Sequence, residues 1–365
     1  MKIHLIINDI TDKGGAEKIV LLLHEGLRER GLDARIISLR GDTSGINDAY
    51  SLGLVSPRDP RAIFRIMKYL KQHASSGDVI HAHLFPSSLY AGLAGKICGF
   101  RRSLLFTEHS TSNARRNKMF GKLLDRFIYS LYPRIACISS GTRNALNKWV
   151  PTVRQKSVVI ENGVELVFDD FIVRSQKQKP VVVSVGRLHP AKDYVTALQA
   201  IAQLTDCDFE YWIVGEGNER KNLEVLAQKL GIVNKVRFCG YVAELKSIFL
   251  KADIFLMTSK WEGFGLAAVE AMNAGLPIVA SDVPGLAEIV GSEVSGGVLV
   301  EAGDADGFAS AIKMLMDYEK RIVLGREGFQ RSLAFSAERM VDGYIEEYNK
   351  FAGRLRGRTI KRQDD

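Results

Sequence analysis

The 365-residue sequence predicts an α/β protein made of two consecutive doubly wound domains, each a parallel sheet covered by helices on both faces. Three observations carry this. The length exceeds what one hydrophobic core usually organises, so two domains of ordinary size are expected. Short apolar runs alternate with stretches of helical periodicity, the pattern of parallel sheets buried on both sides. That alternation restarts after a polar, basic segment, residues 169–179, whose SQKQK run reads as a linker.

Taken in order, the first half offers strands at 3–7, 34–38, 79–82, 104–107, 134–138 and 157–160, each a short run dominated by apolar residues. The helix opening after Gly14 carries Ile19, Leu22, Leu23 and Leu27 at helical spacing and stops at Gly31. The second half offers strands at 180–185, 209–214, 236–239, 254–257, 277–280 and 297–300. A last helix, 337–355, sets Met340, Tyr344, Tyr348 and Phe351 at helical spacing, and the basic tail 356–365 reads as disordered. The expected domains are therefore 1–168 and 180–336. Ligands of such folds bind outside the carboxyl ends of the strands, so a cleft between facing strand ends is the default site.

Hydrophobic content of 46% and charged content of 25% are those of a soluble globular protein. No run of about 18 apolar residues is present to span a membrane. The N-terminal MKIHLIIND has no cleavable leader pattern and reads as the first strand. Cys98, Cys137, Cys207 and Cys239 are widely separated, which suits buried thiols in a reducing, cytoplasmic setting rather than a disulfide frame or metal site. Charge is uneven: residues 1–173 hold 25 Lys+Arg against 16 Asp+Glu, the remainder 25 against 26. Within 101–126, Arg101, Arg102, Arg115, Arg116, Lys118, Lys122 and Arg126 alternate with Leu104, Phe106, Met119, Phe120, Leu123 and Leu124. That mixture fits a solvated face, and it also fits a peripheral position on an anionic membrane surface. Nucleic acid lacks any supporting motif.

The most informative stretch is SKWEGFGLAAVEAMNAGLPIVAS, residues 259–281. Glu262 and Glu270 stand eight positions apart around a glycine-rich helix entry. Gly263 and Gly265 let backbone approach a ligand, and helix entry at Gly265 turns unpaired N–H groups toward an anion. Glu270 is the only charge among Leu266, Ala267, Val269, Ala271 and Met272, so it either pairs internally or accepts from ligand hydroxyls. Lys13-Gly14-Gly15 follows the first strand and opens a helix, which suits a phosphate-side turn or a purely structural one. VGRLHPAKDY follows a second-half strand and holds Arg187 and Lys192, which on their own read as surface charges, or as two cations able to grip a diphosphate. His81 and His83 alternate at one strand end and His109 follows another; carboxylate partners at ligand spacing are missing, so no metal is expected. Ser139 precedes a helix as an N-cap, and Asn162-Gly163 suits a tight turn.

Together these motifs resemble the Glu-x7-Glu signature of the retaining, two-domain glycosyltransferases of family 4, the group 1 type, whose fold is called GT-B. The resemblance covers roughly residues 2–351, and its motifs occur in family order. It implies a donor site formed by Gly15, Arg187, Lys192, Gly215, Val242, Glu262, Gly263, Phe264, Gly265, Leu266 and Glu270. Arg187 and Lys192 would neutralise the diphosphate in place of a metal, Glu270 would hold ribose, and Glu262 would orient the sugar. His109 would lie beside the transferred sugar, with His83, Glu108 and Asn162 on the acceptor side. It further implies a C-terminal helix returning to the first domain and no cofactor. The expected partners are a nucleotide-sugar donor, a UDP-sugar first with uridine against guanosine left open, and a glycan or lipid-linked acceptor of bacterial envelope polysaccharide. Two other classes fit the fold type: a hydrolysing nucleotide-sugar epimerase, which would usually lack EGFGLAAVEA, and a non-catalytic sugar-binding relative, which would lose the charged pocket residues kept here.

Overall fold

The computed structural model describes residues 1–11, 14–113, 115–116, 118–291 and 296–359. Lys13 of the first glycine turn and the end of the tail, 360–365, lie outside them. The chain forms two compact units, one of residues 1–163 with the C-terminal segment from Ala337, the other Val164–Ser336.

The sheet of unit 1 has seven strands: β1 Lys2–Asp9, β2 Asp33–Arg40, β3 Ala49–Ser51, β4 Val79–His83, β5 Leu104–Glu108, β6 Arg134–Cys137 and β7 Ser157–Val159. Their order is β3-β2-β1-β4-β5-β6-β7, and all pairs are parallel. The short edge strand β3, partly to fully exposed, carries no apolar run and was not expected. The sheet of unit 2 has six: β8 Val181–Val185, β9 Glu210–Val214, β10 Val236–Gly240, β11 Ile254–Met257, β12 Ile278–Ser281 and β13 Gly297–Val300. Its order, β10-β9-β8-β11-β12-β13, is again wholly parallel. In both sheets the order reverses beside the first strand of the unit, between β1 and β4 and between β8 and β11. A crevice opens at such a switch point, beyond the carboxyl ends of the strands.

The final helix, Ala337–Thr359, belongs to unit 1. It lies against the helix Gly15–Glu29, where Gly26 makes room for Val341: a Cβ on Gly26 would stand 2.6 Å from a Val341 methyl. Arg134 clamps it through a pair of bonds to Glu347 at 2.7 and 3.2 Å. The helix runs through residues 356–359, which the sequence assigned to a disordered tail.

The division between the units differs from the expected one. It falls at Gly163/Val164, and residues 169–179 are fastened to unit 2 rather than bridging as a linker. Asn273 accepts from the backbone N–H of Val167 and Phe168. Arg174 donates to the carbonyls of Ala252, Gly275, Phe249 and Ala274 at 2.6–3.1 Å. Those carbonyls lie at the C-terminal ends of two helices, Lys246–Lys251 and Leu266–Asn273, which leave orphan acceptors that a guanidinium can satisfy several at a time. Burial there lowers the Arg174 pKa to about 10.

Candidate functional site

In unit 2 the candidate residues gather on the loops after β8, β9 and β11. The β8 loop begins at Gly186, whose N–H donates to the Val214 carbonyl, and Leu188 N–H donates to Glu216. The β8 and β9 loops therefore run backbone against backbone. Gly215 has φ +141°, and a Cβ on it would meet the Gly186 carbonyl oxygen at 2.0 Å. Its place in the sequence is accounted for by this close approach, and no side chain fits there.

The β8 loop closes with one 3-10 turn, Pro190–Lys192. Three bonds stitch it to the β11 loop: Thr258 Oγ1 donates to the carbonyls of Lys192 and Asp193, and Lys260 N–H donates to Ala191. Both loops flank the switch point, and two side-chain pairs join them: Lys192 Nζ donates to Glu262 Oε1, and Lys260 Nζ lies 3.5 Å from Asp193 Oδ1. The Lys192 and Glu262 side chains are 23% and 15% exposed, so that pair is reachable from solvent without being fully hydrated. Arg187 is exposed and makes no ion pair among the described residues. Tyr194 sits beneath, buried, with its hydroxyl donating to the Gly186 carbonyl at 3.1 Å and its pKa pushed well up by burial.

Gly265 caps the helix Leu266–Asn273 with φ +106°, and a Cβ on it would strike Leu286 at 2.6 Å. Glycine is thus required both for the turn and for the packing. Glu270 lies in the second turn, half-buried, and has partners within the protein. Leu266, Gly263 and Val242 are half-buried. Phe264 is 3% exposed and packs edge-on against Phe335, so it supports the loop from the core side instead of presenting its ring to a ligand. Two residues not singled out in the sequence also lie at these strand ends. The hydroxyls of Ser259 and Ser281 are buried without a hydrogen-bond partner among the described residues. Within a stretch already marked as chemical, small polar residues ending apolar strands were the available signal.

In unit 1 the strand ends gather histidines. His81 and His83 alternate along β4, with ring centroids 4.1 Å apart. His81 is held at both nitrogens, Nδ1 at 2.7 Å from the Tyr348 hydroxyl and Nε2 at 2.7 Å from Thr107 Oγ1, which also meets the Tyr344 hydroxyl at 3.0 Å. His83 Nδ1 lies 3.0 Å from His109 Nε2. Burial holds His81 and His83 well below the usual histidine pKa and lowers His109 to about 4, so all three are neutral at pH 7.

The residues expected on the acceptor side are all interior. His83 is fully buried behind His109. Glu108 is buried, its pKa raised by that burial, and it accepts from Tyr129 at 2.6 Å instead of pairing with an arginine. Arg115 pairs with buried Asp125 instead. Asn162 is 3% exposed and its backbone N–H donates to Ile138. Gly15 opens the first helix beside β1, as the glycine turn suggested. Ser139 caps its helix, accepting from Thr142 N–H at 3.0 Å. Among the described residues, no three His, Cys, Asp or Glu side chains converge to hold a metal.

Comparison with known proteins shows two adjoining family matches: Glycosyltransferase Family 4 over residues 13–168 and Glycosyl transferases group 1 over residues 168–331. The lipopolysaccharide core biosynthesis glycosyltransferase LpsE of Rhizobium meliloti is 30% identical over 216 residues, 58% of this chain. The chain spans less than two thirds of that relative, 63% of its length. An Escherichia coli UDP-Gal:alpha-D-GlcNAc-diphosphoundecaprenol alpha-1,3-galactosyltransferase is 25% identical over 71% of this chain and 71% of its own. Among solved structures, Anabaena HepE in complex with UDP and glucose superposes with a TM-score of 0.82 over 96% of this chain and 100% of that one, at 20% identity, a likeness of fold.

Proposed function

The chain belongs to the glycosyltransferases of group 1 and family 4, and on that premise we propose a retaining, metal-independent transfer of sugar from a UDP-sugar to a glycan or lipid-linked acceptor of the cell envelope. The observation that carries this reading is the Lys192–Glu262 pair across the β8/β11 switch point, with exposed Arg187 on the same loop and the Gly265-capped helix opening after Glu262. Negative charge develops on the leaving diphosphate as the glycosidic bond breaks. Lys192, Arg187 and the helix N-terminus offer fixed positive charge to it, the work a metal ion does elsewhere. Glu262 orients the sugar hydroxyls, Glu270 holds ribose, and Val242 meets the base through its backbone. The acceptor side falls to unit 1, with His109 as its reactive contact. UDP and a lipid-linked acceptor are the first choices because the Escherichia coli relative is named for both.

A second element supports a membrane-bound acceptor. The helix Gly121–Ser130 and the turn before it expose Met119, Phe120, Leu123 and Phe127, at 85, 67, 63 and 49%, beside exposed Lys118, Lys122 and Arg126. Apolar side chains that insert and cations that meet lipid phosphates, each worth about 1 kcal/mol, suit an anionic bilayer. Arg115 and Arg116 are half-buried and bonded within unit 1, so they lie outside this face. Vesicle sedimentation should show binding to anionic lipid that fades with salt and with Lys118→Glu/Lys122→Glu; equal binding to neutral lipid would remove the surface from the reading.

The donor assignment is tested by thermal shift against UDP, GDP, ADP and their sugars, followed by turnover in EDTA. A UDP-specific rise in Tm that Lys192→Ala abolishes, with transfer surviving EDTA, is expected. No shift with any nucleoside diphosphate overturns the donor site, and donor hydrolysis indifferent to every acceptor points to the epimerase class.

A further inference from the structure

The histidine pair at the ends of β4 and β5 has an asymmetry that its hydrogen bond alone does not reveal. His83 is 0% exposed, its Nδ1 meets His109 Nε2 at 3.0 Å, and its Nε2 is buried with no partner among the described residues. Two neutral imidazoles joined by one bond share one proton in it. If His109 Nε2–H donates, the proton of His83 must sit on Nε2, as a buried N–H facing no acceptor. If His83 Nδ1–H donates, Nε2 is only a bare lone pair. Leaving a buried donor unmade costs about 1–3 kcal/mol, and orphan N–H groups are rarer than under-used acceptors. The second arrangement is therefore favoured.

We propose that His83 is a positioning residue that fixes His109 in the tautomer carrying its proton on Nδ1. His109 Nδ1 has no hydrogen-bond partner among the described residues, so that proton is available to a substrate oxygen. His109 then acts as a neutral hydrogen-bond donor and cannot take up a proton at Nδ1. The His83 ring is itself kept from turning. It packs at a tilt of 41° against His81, which Tyr348 and Thr107 grip at both nitrogens, so the C-terminal helix bears on the orientation of a residue it does not touch through hydrogen bonds. The tautomer assignment stands on this geometry alone; its consequence for transfer rests on the acceptor-side role given to His109 above.

The test uses the full-length protein labelled with 15N-histidine. Ring nitrogen shifts and their couplings to the carbon-bound ring protons assign each tautomer, and the His109→Gln spectrum identifies the His109 signals. The wild type should show His109 protonated on Nδ1 at pH 7. His83→Asn places an amide N–H near the lost Nδ1–H and should keep that tautomer; His83→Gln, whose amide lies too far along the side chain, should release it to Nε2–H. Transfer should follow, with kcat down at least about ten-fold in His83→Gln, recovered to within about three-fold in His83→Asn, and donor KM unchanged in both. A wild-type spectrum with His109 protonated on Nε2 overturns the proposal and needs no variant to fold. So does an Nδ1–H tautomer that persists in His83→Gln. If the tautomers behave as stated but neither His109→Gln nor His83→Gln slows transfer, the positioning stands and the acceptor-side role of His109 falls.

Discussion

Two sheets of like topology stand in one chain and place opposite chemistry at their carboxyl ends. Unit 1 ends β4 and β5 in buried rings and hydroxyls, with His81, His83, Thr107, Tyr344 and Tyr348 all fully buried, and in the Glu108 carboxyl, which Tyr129 caps. Unit 2 ends β8 and β11 in loops that carry charge at or near the surface, Arg187, Lys192 and Glu262, and nearby Gly215 and Gly265 have no room for a side chain, the first against the Gly186 backbone and the second against Leu286. The difference teaches what each unit is built to meet. A dry polar network fixes orientation through bonds within itself, His83 Nε2 excepted; half-exposed charge is what the proposed anion would complete. It also makes the two units respond differently to acid, to charge removal and to added atoms.

Acid should separate them most strongly. Five of the seven histidines, His4, His24, His81, His83 and His109, are in unit 1 and are held below the usual value by burial. A lowered folded-state pKa means that the unfolded chain takes up the proton first. Stability is then fully present above about pH 6.5 and drains as pH falls toward the folded value. For His4, lowered to about 4, that alone is about 3 kcal/mol. Hydrogen exchange, corrected for intrinsic rate, should show β1, β4 and β5 losing protection between pH 7 and 4.5 while β8 and β11 keep theirs. Loss confined to unit 2 would reverse the comparison.

Charge removal comes next. Arg187→Ala and Lys192→Ala should each lower transfer by about two orders of magnitude with circular dichroism unchanged, since each takes a fixed cation from the developing diphosphate charge. Removing a cation remote from the switch point, as in Lys313→Ala, should change nothing. Near-normal turnover in both loop variants would leave unit 2 without its assigned function.

These expectations were unequally legible. The strands were readable because a parallel strand buried on both faces is a bare apolar run, and Ile254–Met257 and Gly297–Val300 fall where the composition puts them. β3 was not, because an edge strand of Ala-Tyr-Ser buries too little to leave a signal. The supposed linker was misjudged because Arg174 and Lys177 look like solvent-loving residues in sequence. Arg174 spends its donors on helix ends 75–101 positions away, and Lys177 pairs with Asp253. In the site, alternation put His81 and His83 on one face of β4. What surrounds them did not show: Thr107 comes from the next strand, and Tyr344 and Tyr348 arrive from the far end of the chain. Glu108 next to His109 looked chemical, yet its partner Tyr129 makes it interior.

A single added methyl should sharpen the backbone side of the contrast. Gly215→Ala must push the β9 loop off the Gly186 carbonyl and hold alanine at φ +141°, so unit 2 should lose about 2 kcal/mol. Gly31→Ala, also at positive φ but with nothing within 4 Å, supplies the control for backbone strain alone. Chemical denaturation of the two variants compares them, and equal losses would mean that the β8 and β9 loops tolerate separation.

The smallest effect tells the two glutamates apart. Lys192 has three N–H donors, so it can keep Glu262 and still reach a phosphate oxygen; the pair does not have to break for a diphosphate to bind. The Glu262 carboxylate nevertheless repels that diphosphate, and a partly exposed pair of this kind is worth no more than about 1 kcal/mol. Glu262→Gln should therefore leave the Kd for bare UDP unchanged or tighten it by up to about five-fold, a range that follows from that energy at about 1.4 kcal/mol per decade. Transfer should still fall, because the sugar loses its orienting acceptor. Glu270→Gln should instead weaken bare UDP about ten-fold, the cost of a charged hydrogen bond to ribose. Calorimetry with UDP alone reads both. If the two variants weaken UDP equally, Glu262 faces the nucleotide as Glu270 does, and the division of labour between them is lost.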